Sequence, residues 1–208
     1  MTVTKIDSLA LLPNGETYAT DGDQYVRYSD DNGTTVDPGY PVSIEGRWGN
    51  LPAAFDDGFD SMATLPNGKT YVTKGDQYAR YSDDNATTVD PGYPVSIKGR
   101  WGNLPDAFND GFDSMATLPN GKTYVTKGDQ YVRYSDDDGT TIDPGYPRPI
   151  AGAWGDLPAA FNQGFDAMST LPNGKTYVIK GDQYVRYSDD DGTTVDDGYP
   201  LPVKGNWG

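Results

Sequence analysis

The sequence predicts an all-β chain folded as a four-bladed β-propeller from four 53-residue repeats. Three observations carry that prediction. Asp7, Asp60, Asp113 and Asp166 recur at one spacing, as do Trp48, Trp101, Trp154 and Trp207, with no insertion between copies. Each copy holds short runs rich in Tyr, Thr and Val between Gly- and Pro-rich turns, a composition suited to short strands. No window sustains the 3.6-residue apolar period of a long helix. The expected blades run approximately over residues 1–53, 54–106, 107–159 and 160–208, within one propeller domain over 1–208. Residues 57–109 and 110–162 differ at only ten positions, so one unit is used four times and no linker separates the copies.

The elements follow in order along the second copy. Phe59–Leu65 reads as the first strand, and Pro66-Asn67-Gly68-Lys69 as a hairpin turn, since Asn-Gly supplies the positive φ that tight hairpins need. Thr70–Lys74 is the second strand, ended by Gly75-Asp76, and Gln77–Ser82 the third. An acidic turn, Asp83-Asp84-Asn85, leads to a fourth run, Thr87-Thr88-Val89. Asp90-Pro91-Gly92-Tyr93-Pro94 is too rich in proline for a central strand and marks a sheet edge. A short helical turn is expected near Leu104–Phe108, in the tether between blades. A single four-stranded blade cannot cover both of its faces, so copies pack face to face around an axis. An open solenoid would need atypical capping copies, and the end copies here are nearly typical. Closure into a ring is therefore expected. Residues 1–5 replace the tether ahead of the first blade.

Composition bounds the function. Acidic residues number 31 against 16 basic, a net charge of −15, which opposes nucleic acid and anionic membranes and favours cations. There is no Cys and no His, so thiol nucleophiles, disulfides and the commonest general base are absent. Residues 1–12 lack the pattern of a signal peptide, and no run approaches the length of a membrane span. The expectation is a soluble protein, cytoplasmic or secreted without disulfides, with no membrane insertion.

The repeat itself carries a resemblance. Residues 113–158 contain Asp113-Ser114-Met115, Gly121-Lys122-Thr123-Tyr124, Lys127-Gly128-Asp129-Gln130-Tyr131-Val132-Arg133-Tyr134 and Asp143-Pro144-Gly145-Tyr146-Pro147, then Trp-Gly-x-Leu-Pro. This series resembles the haemopexin-like repeat, four times over nearly the whole chain, and neither a WD40 nor a kelch signature is present. The resemblance implies a haemopexin-like four-bladed propeller. It also implies a disulfide between first and last blades in most animal members, which this chain cannot form.

Three sets of residues are candidates for a site. The innermost strand of each blade is an edge strand facing the axis, so its free carbonyls form rings of hard oxygen ligands suited to Ca²⁺ or Na⁺, and its amides rings suited to chloride. In the family, the axial cation lies on the carbonyls of the Asp that opens the inner strand. The matching positions are Asp7, Asp60, Asp113 and Asp166, with Leu9, Met62, Met115 and Met168 one layer deeper. The competing reading is a water-filled channel in which these Asp side chains cap nearby amides. The acidic turns, such as Asp136-Asp137-Asp138-Gly139, lack the alternate-ligand pattern of a calcium loop and read better as solvated turns. Tyr40, Tyr93, Tyr146 and Tyr199, with the four Trp, combine aromatic faces with nearby hydrogen-bonding groups, as a glycan site needs; packing between blades is the competing and stronger reading of the set, above all for the Trp residues.

No haem is expected, since bis-His capture is impossible and acidic charge opposes the propionates. No carboxylate stands out from its fourfold copies, which speaks against an enzyme. The expected function is a non-enzymatic binding module with an axial cation, recognising a glycan (lectin-like) or a protein surface. The alternative is a structural or engineered symmetric scaffold whose only ligands are channel ions.

Overall fold

The computed structural model describes residues 3–207. Sixteen strands form four antiparallel meanders of four strands each. The first sheet holds β1 (Ser8–Leu11), β2 (Thr17–Asp21), β3 (Gln24–Tyr28) and β4 (Val42–Ser43). The second holds β5 (Ser61–Thr64), β6 (Thr70–Lys74), β7 (Gln77–Tyr81) and β8 (Val95–Ser96). The third holds β9 (Ser114–Thr117), β10 (Thr123–Lys127), β11 (Gln130–Tyr134) and β12 (Arg148–Pro149). The fourth holds β13 (Ala167–Thr170), β14 (Thr176–Lys180), β15 (Gln183–Tyr187) and β16 (Leu201–Pro202). The inner strands β1, β5, β9 and β13 each lie against the inner strands of both neighbouring sheets, β13 against β1 included, so the ring is closed.

Two features of each blade depart from the sequence reading. The run at Thr87–Val89 is not the fourth strand. Asp83 takes the Thr87 and Thr88 backbone N–H groups onto its carboxylate, so they are withdrawn from the sheet and only Val89 bridges to Tyr81. The fourth strand starts after the cis Tyr93–Pro94 peptide and pairs Tyr78 with Val95 and Gln77 with Ser96. The expected helical turn is a single 3₁₀ turn, Asp106–Phe108, entered from Pro105 and matched by Ala53–Phe55 and Ala159–Phe161.

The strands show no apolar–polar alternation because a blade has a neighbour on each face. All of Ser61–Ala63 and Thr70–Thr73 are buried. The core is four joints between blades rather than one centre. Each joint is built around a Trp that reaches its own blade and the next. Trp48 meets the Tyr18 and Tyr25 rings edge-on at 5.2 and 4.7 Å, and Phe59 of the second blade at 5.3 Å. Such edge-to-face aromatic contacts are favourable beyond the area they bury. At the closing joint Trp207 packs on Tyr177 and Tyr184 and reaches Tyr28 of the first blade at 6.0 Å. Polar contacts repeat with the same symmetry: the Asn14, Asn67 and Asn120 N–H groups donate to Asp84, Asp137 and Asp190 carbonyls of the next blade, and Asn173 N–H closes the set on Asp31.

Candidate functional site

The first candidate is the axis. Leu12 N–H turns to Glu16 in the β1–β2 hairpin, so the Leu11 carbonyl on the same peptide points the other way, where Thr64 Oγ1 of the neighbouring blade donates to it at 3.0 Å. Strand alternation then sets the Leu9, Met62, Met115 and Met168 carbonyls and amides on the axial side, although their side chains are packed in the joints. The Asp7, Asp60, Asp113 and Asp166 carbonyls share peptides with β-paired Ser8, Ser61, Ser114 and Ala167. The strand alternation is interrupted there, because the Asp amides turn to the second strand: Asp7 N–H donates to Thr20 at 2.8 Å and Asp60 N–H to Thr73 at 2.9 Å. The Asp level thus offers no free amide to an anion, and backbone carbonyls are the donor type a hard cation takes.

The Asp side chains do a separate job. Each accepts the N–H of the glycine that opens the second turn: Gly22, Gly75, Gly128 and Gly181 at 2.5–2.8 Å. Lys5, Lys127 and Lys180 pair with Asp7, Asp113 and Asp166, while Lys74 turns to Asp57. These groups ring a mouth of about 610 Å³. Among the described residues, no cluster of three or more acidic side chains has metal-ligand geometry.

The second candidate lies at the rim of the joints, where two motifs that are far apart in sequence meet. Between the second and third blades, a cleft of about 290 Å³ is lined by Tyr71, Tyr78, Arg80, Tyr93, Arg100 and Trp101 on one side and Asp138, Gly139 and Thr140 on the other. The next joint repeats it with Tyr146, Arg133 and Arg148 facing Asp191. The acidic turn is held there by the preceding blade: Asn67 Nδ2 donates to Asp138 Oδ1 at 2.9 Å and to the Tyr71 hydroxyl at 3.0 Å. Asn85 and Asn32 stand at the corresponding turns of the other two joints, bonded by Asn14 and Asn173. The first Asp of the turn is already spent. Burial would raise the Asp83 carboxyl, but hydrogen bonds from Thr87, Thr88 and Asn85 hold it below its ordinary value.

Tyr40, Tyr93, Tyr146 and Tyr199 are half-buried, and each carries an arginine of its own blade over its ring, at 4.8–5.4 Å. A sugar therefore cannot use that face, and the tyrosine contributes its edge and hydroxyl. The arginines are aimed by carboxylates: Arg80 Nε donates to Asp90 at 2.5 Å and Arg133 Nε to Asp143 at 2.6 Å, which leaves the Nη donors for a ligand. Burial, reinforced by neighbouring tyrosines, pushes the Tyr25, Tyr131 and Tyr184 hydroxyls up to about 12, so they remain donors. The four Trp are 1–4 % exposed and belong to the joints, as their spacing suggested. Sequence reading missed the arginines; their 53-residue recurrence at Arg27, Arg80, Arg133 and Arg186 was the available signal.

Comparison with known proteins decides the family. The Hemopexin model matches residues 6–53, 59–106, 112–159 and 165–208, one match per blade. The chain belongs to the Hemopexin family. Among curated relatives, vitronectin of Oryctolagus cuniculus is 31 % identical over 181 residues, which cover 85 % of this chain and 34 % of that protein. Vitronectin of Homo sapiens is 35 % identical over 137 residues, 62 % of this chain and 26 % of that protein. The chain thus spans between about a quarter and a third of the length of the curated relatives it matches. Among solved structures, a 2S albumin seed protein from Dolichos aligns with a TM-score of 0.79 at 22 % identity, covering 97 % of this chain and 96 % of that one. A plant lectin with two metal binding sites from Cicer arietinum aligns with a TM-score of 0.79 at 21 % identity, covering 98 % and 95 %. At these identities the two structures establish the shared propeller. No helix among the described residues is long and apolar enough to cross a membrane.

Proposed function

We propose that this Hemopexin-family chain is a non-enzymatic binding module that recognises glycans through the clefts between its blades and holds Ca²⁺ or Na⁺ on its axis. The observation that carries the glycan reading is the meeting of Tyr93, Arg80 and Arg100 with Asp138 of the next blade in one cleft, and of Tyr146, Arg133 and Arg148 with Asp191 at the following joint. Fixed donors, a carboxylate and aromatic edges are what hydroxyl-rich ligands require, and repetition around the ring supplies avidity for branched or clustered sugars. The plant lectin of the same fold supports this class of ligand. Saturable binding on a glycan array carrying neutral and acidic sugars is expected, with Arg100→Ala and Tyr93→Ala each weakening it at least tenfold. Absence of binding at high protein concentration would leave the fold a scaffold. A protein surface is the second ligand class the clefts suit, since Tyr and Arg dominate protein hot spots, and vitronectin is a relative.

For the axis, the ring of Asp7, Asp60, Asp113 and Asp166 carbonyls would hold the cation, with Leu9, Met62, Met115 and Met168 supplying the next layer and its amides a seat for chloride. Exhaustive chelation in sodium-free buffer is expected to lower the melting temperature, because an ion bound only by the native state stabilises it by mass action. Ca²⁺ should restore it and Mg²⁺ should not, since Mg²⁺ demands a tight octahedron that a carbonyl ring across a channel does not offer. An unchanged melting temperature, with no metal in elemental analysis, would remove the axial site.

A further inference from the structure

Four of the seven arginines sit in pairs at two joints. Arg80 and Arg100 line the cleft between the second and third blades, and Arg133 and Arg148 the cleft between the third and fourth. One member of each pair is fixed by its own blade. Asp90 takes Arg80 Nε and the Ser82 hydroxyl, and Asp143 takes Arg133 Nε and the Ser135 hydroxyl, so both carboxylates are spent. The other member, Arg100 or Arg148, has no carboxylate within ion-pair distance among the described residues. Arg100 is exposed, and its carbonyl accepts the Tyr78 hydroxyl at 3.3 Å. Arg148 lies over the Tyr146 ring at 4.8 Å and Arg133 over the same ring at 5.2 Å, so two guanidiniums share one rim. Lys69 backs the first pair, where its ammonium donates to Ser82 at 2.9 Å.

The opposite wall carries the opposite charge. Asp138 Oδ1 accepts from Asn67 and Asp191 Oδ1 from Asn120, each at 2.9 Å, which leaves Oδ2 of each to the cleft. Gly102 and Gly155 keep the walls close: each lies against the Thr140 or Thr193 carbonyl of the facing turn, where a Cβ would strike the backbone. A guanidinium pair therefore faces a carboxylate across a gap that neither bridges. The complement of such a dipolar cleft is a ligand with an anion at one end and hydroxyls at the other. Arginine meets a carboxylate with two parallel N–H donors, and a carboxylate accepts hydroxyls. The other two joints lack this arrangement. Asn85 and Asn32 replace the acid. In the first blade Glu16 stands at the position of Lys69, and in the fourth Asn206 stands at that of Arg100.

Resting on the glycan reading above, we propose that the Arg80–Arg100 and Arg133–Arg148 clefts select sugars that carry a carboxylate. The guanidinium pair takes the carboxylate, and Asp138 or Asp191 takes ring hydroxyls at the far end. Uronic and sialic acids share this chemistry, whereas a neutral hexose engages only the hydroxyl half. The net charge of −15 does not forbid it. Repulsion from distant exposed carboxylates is screened beyond about 8 Å at physiological salt, while the guanidiniums touch the ligand. Two acid-selective sites per chain follow, one in each of these clefts.

The test titrates the intact protein with methyl glucuronide, methyl sialoside and methyl glucoside and follows backbone amide NMR signals. Saturable shifts at Gly102 and Gly139 and at Gly155 and Gly192 are expected from one or both acidic sugars, and the stronger of the two names the source. Arg100→Asn, which copies Asn206, should weaken the acidic sugar about tenfold in its cleft, the worth of a charged hydrogen bond, and leave the glucoside nearly unchanged. Asp138→Asn, which copies Asn85 and keeps the bond from Asn67, should strengthen the acidic sugar several-fold. The preference for acid should shrink in about 1 M salt, where the Debye length is about 3 Å. Equal binding of glucoside and acidic sugars, equal weakening of both by Arg100→Asn, or shifts centred on the other two joints would overturn the proposal and leave the glycan reading standing. No saturable shift from any of the three sugars would remove both.

Discussion

Ser61 and Thr73 lie opposite each other on the buried face of the second blade, and their hydroxyls hydrogen-bond at 2.8 Å. The first and third blades repeat the pair as Ser8–Thr20 and Ser114–Thr126, but the fourth has Ala167 opposite Ile179. The fold thus contains its own demonstration that both hydroxyls can be replaced together. Removing one leaves its partner unpaired where water cannot reach. Ser61→Ala is expected to cost ~1–2 kcal/mol, whereas Ser61→Ala with Thr73→Val should stay within ~0.5 kcal/mol of the parent. Urea denaturation at constant m reads the difference. Equal losses in the single and double variants would mean that packing, not the hydrogen bond, sets the cost.

At the scale of the inner strand, a ladder of threonines ties one blade to the next. Thr64 Oγ1 donates to Leu11 O, Thr117 to Thr64 O and Thr170 to Thr117 O, at 3.0–3.2 Å. Each threonine also bonds to the hydroxyl opposite it in its own blade, Thr70, Thr123 or Thr176. Leu11 takes the threonine position in the first blade, so the ladder has no rung from β1 to β13, and the Thr17 hydroxyl is buried without a partner. Leu11→Thr supplies the rung and satisfies Thr17. It is expected to stabilise the protein by about 1 kcal/mol, the worth of a typical buried hydrogen bond, because Leu11 itself is only partly buried. Thr64→Val, which breaks the corresponding rung, should cost a similar amount in the same melting assay.

The whole molecule titrates in two ranges. Hydrogen bonds outweigh burial to hold the Asp30, Asp83 and Asp189 carboxyls below their ordinary value. Asp37, Asp90, Asp143 and Asp196 are held low in the same way, by a serine hydroxyl and the neighbouring arginine. A depressed carboxyl contributes stability that is present above the unfolded value, near ~3.9, and is lost as pH falls through the folded one. Asp21, raised by burial and Asp7, works in the opposite sense. At the other end, burial raises the Tyr25, Tyr131 and Tyr184 hydroxyls to about 12, so their contribution holds below ~10 and disappears as pH climbs towards 12. With no His or Cys in the chain, no side chain has an ordinary pKa between these ranges. Melting temperatures are expected to be flat from about pH 5 to 9, falling below ~4 and above ~10. A midpoint near pH 6.5 would contradict this account.

The 53-residue recurrence was enough to establish the blade count, the antiparallel hairpins and the assignment of the Trp residues to the joints. Each of these follows from local turn chemistry or from the need of identical blades to cover one another. The inner position of the Asp7, Asp60, Asp113 and Asp166 strands came from the family resemblance and from the order of the meander. The fourth strand was misread at Thr87–Val89 because the competition for its amides comes from the Asp83 side chain, which a strand pattern does not register. The composition of the clefts was also out of reach. Tyr93 and Asp138 belong to different repeats, and only face-to-face packing of adjacent blades brings them to one rim. The sequence by itself determined what each blade is, because a repeat encodes its own turns and pairing. What lies between blades was decided by the tertiary structure, since that geometry arises only when the ring closes.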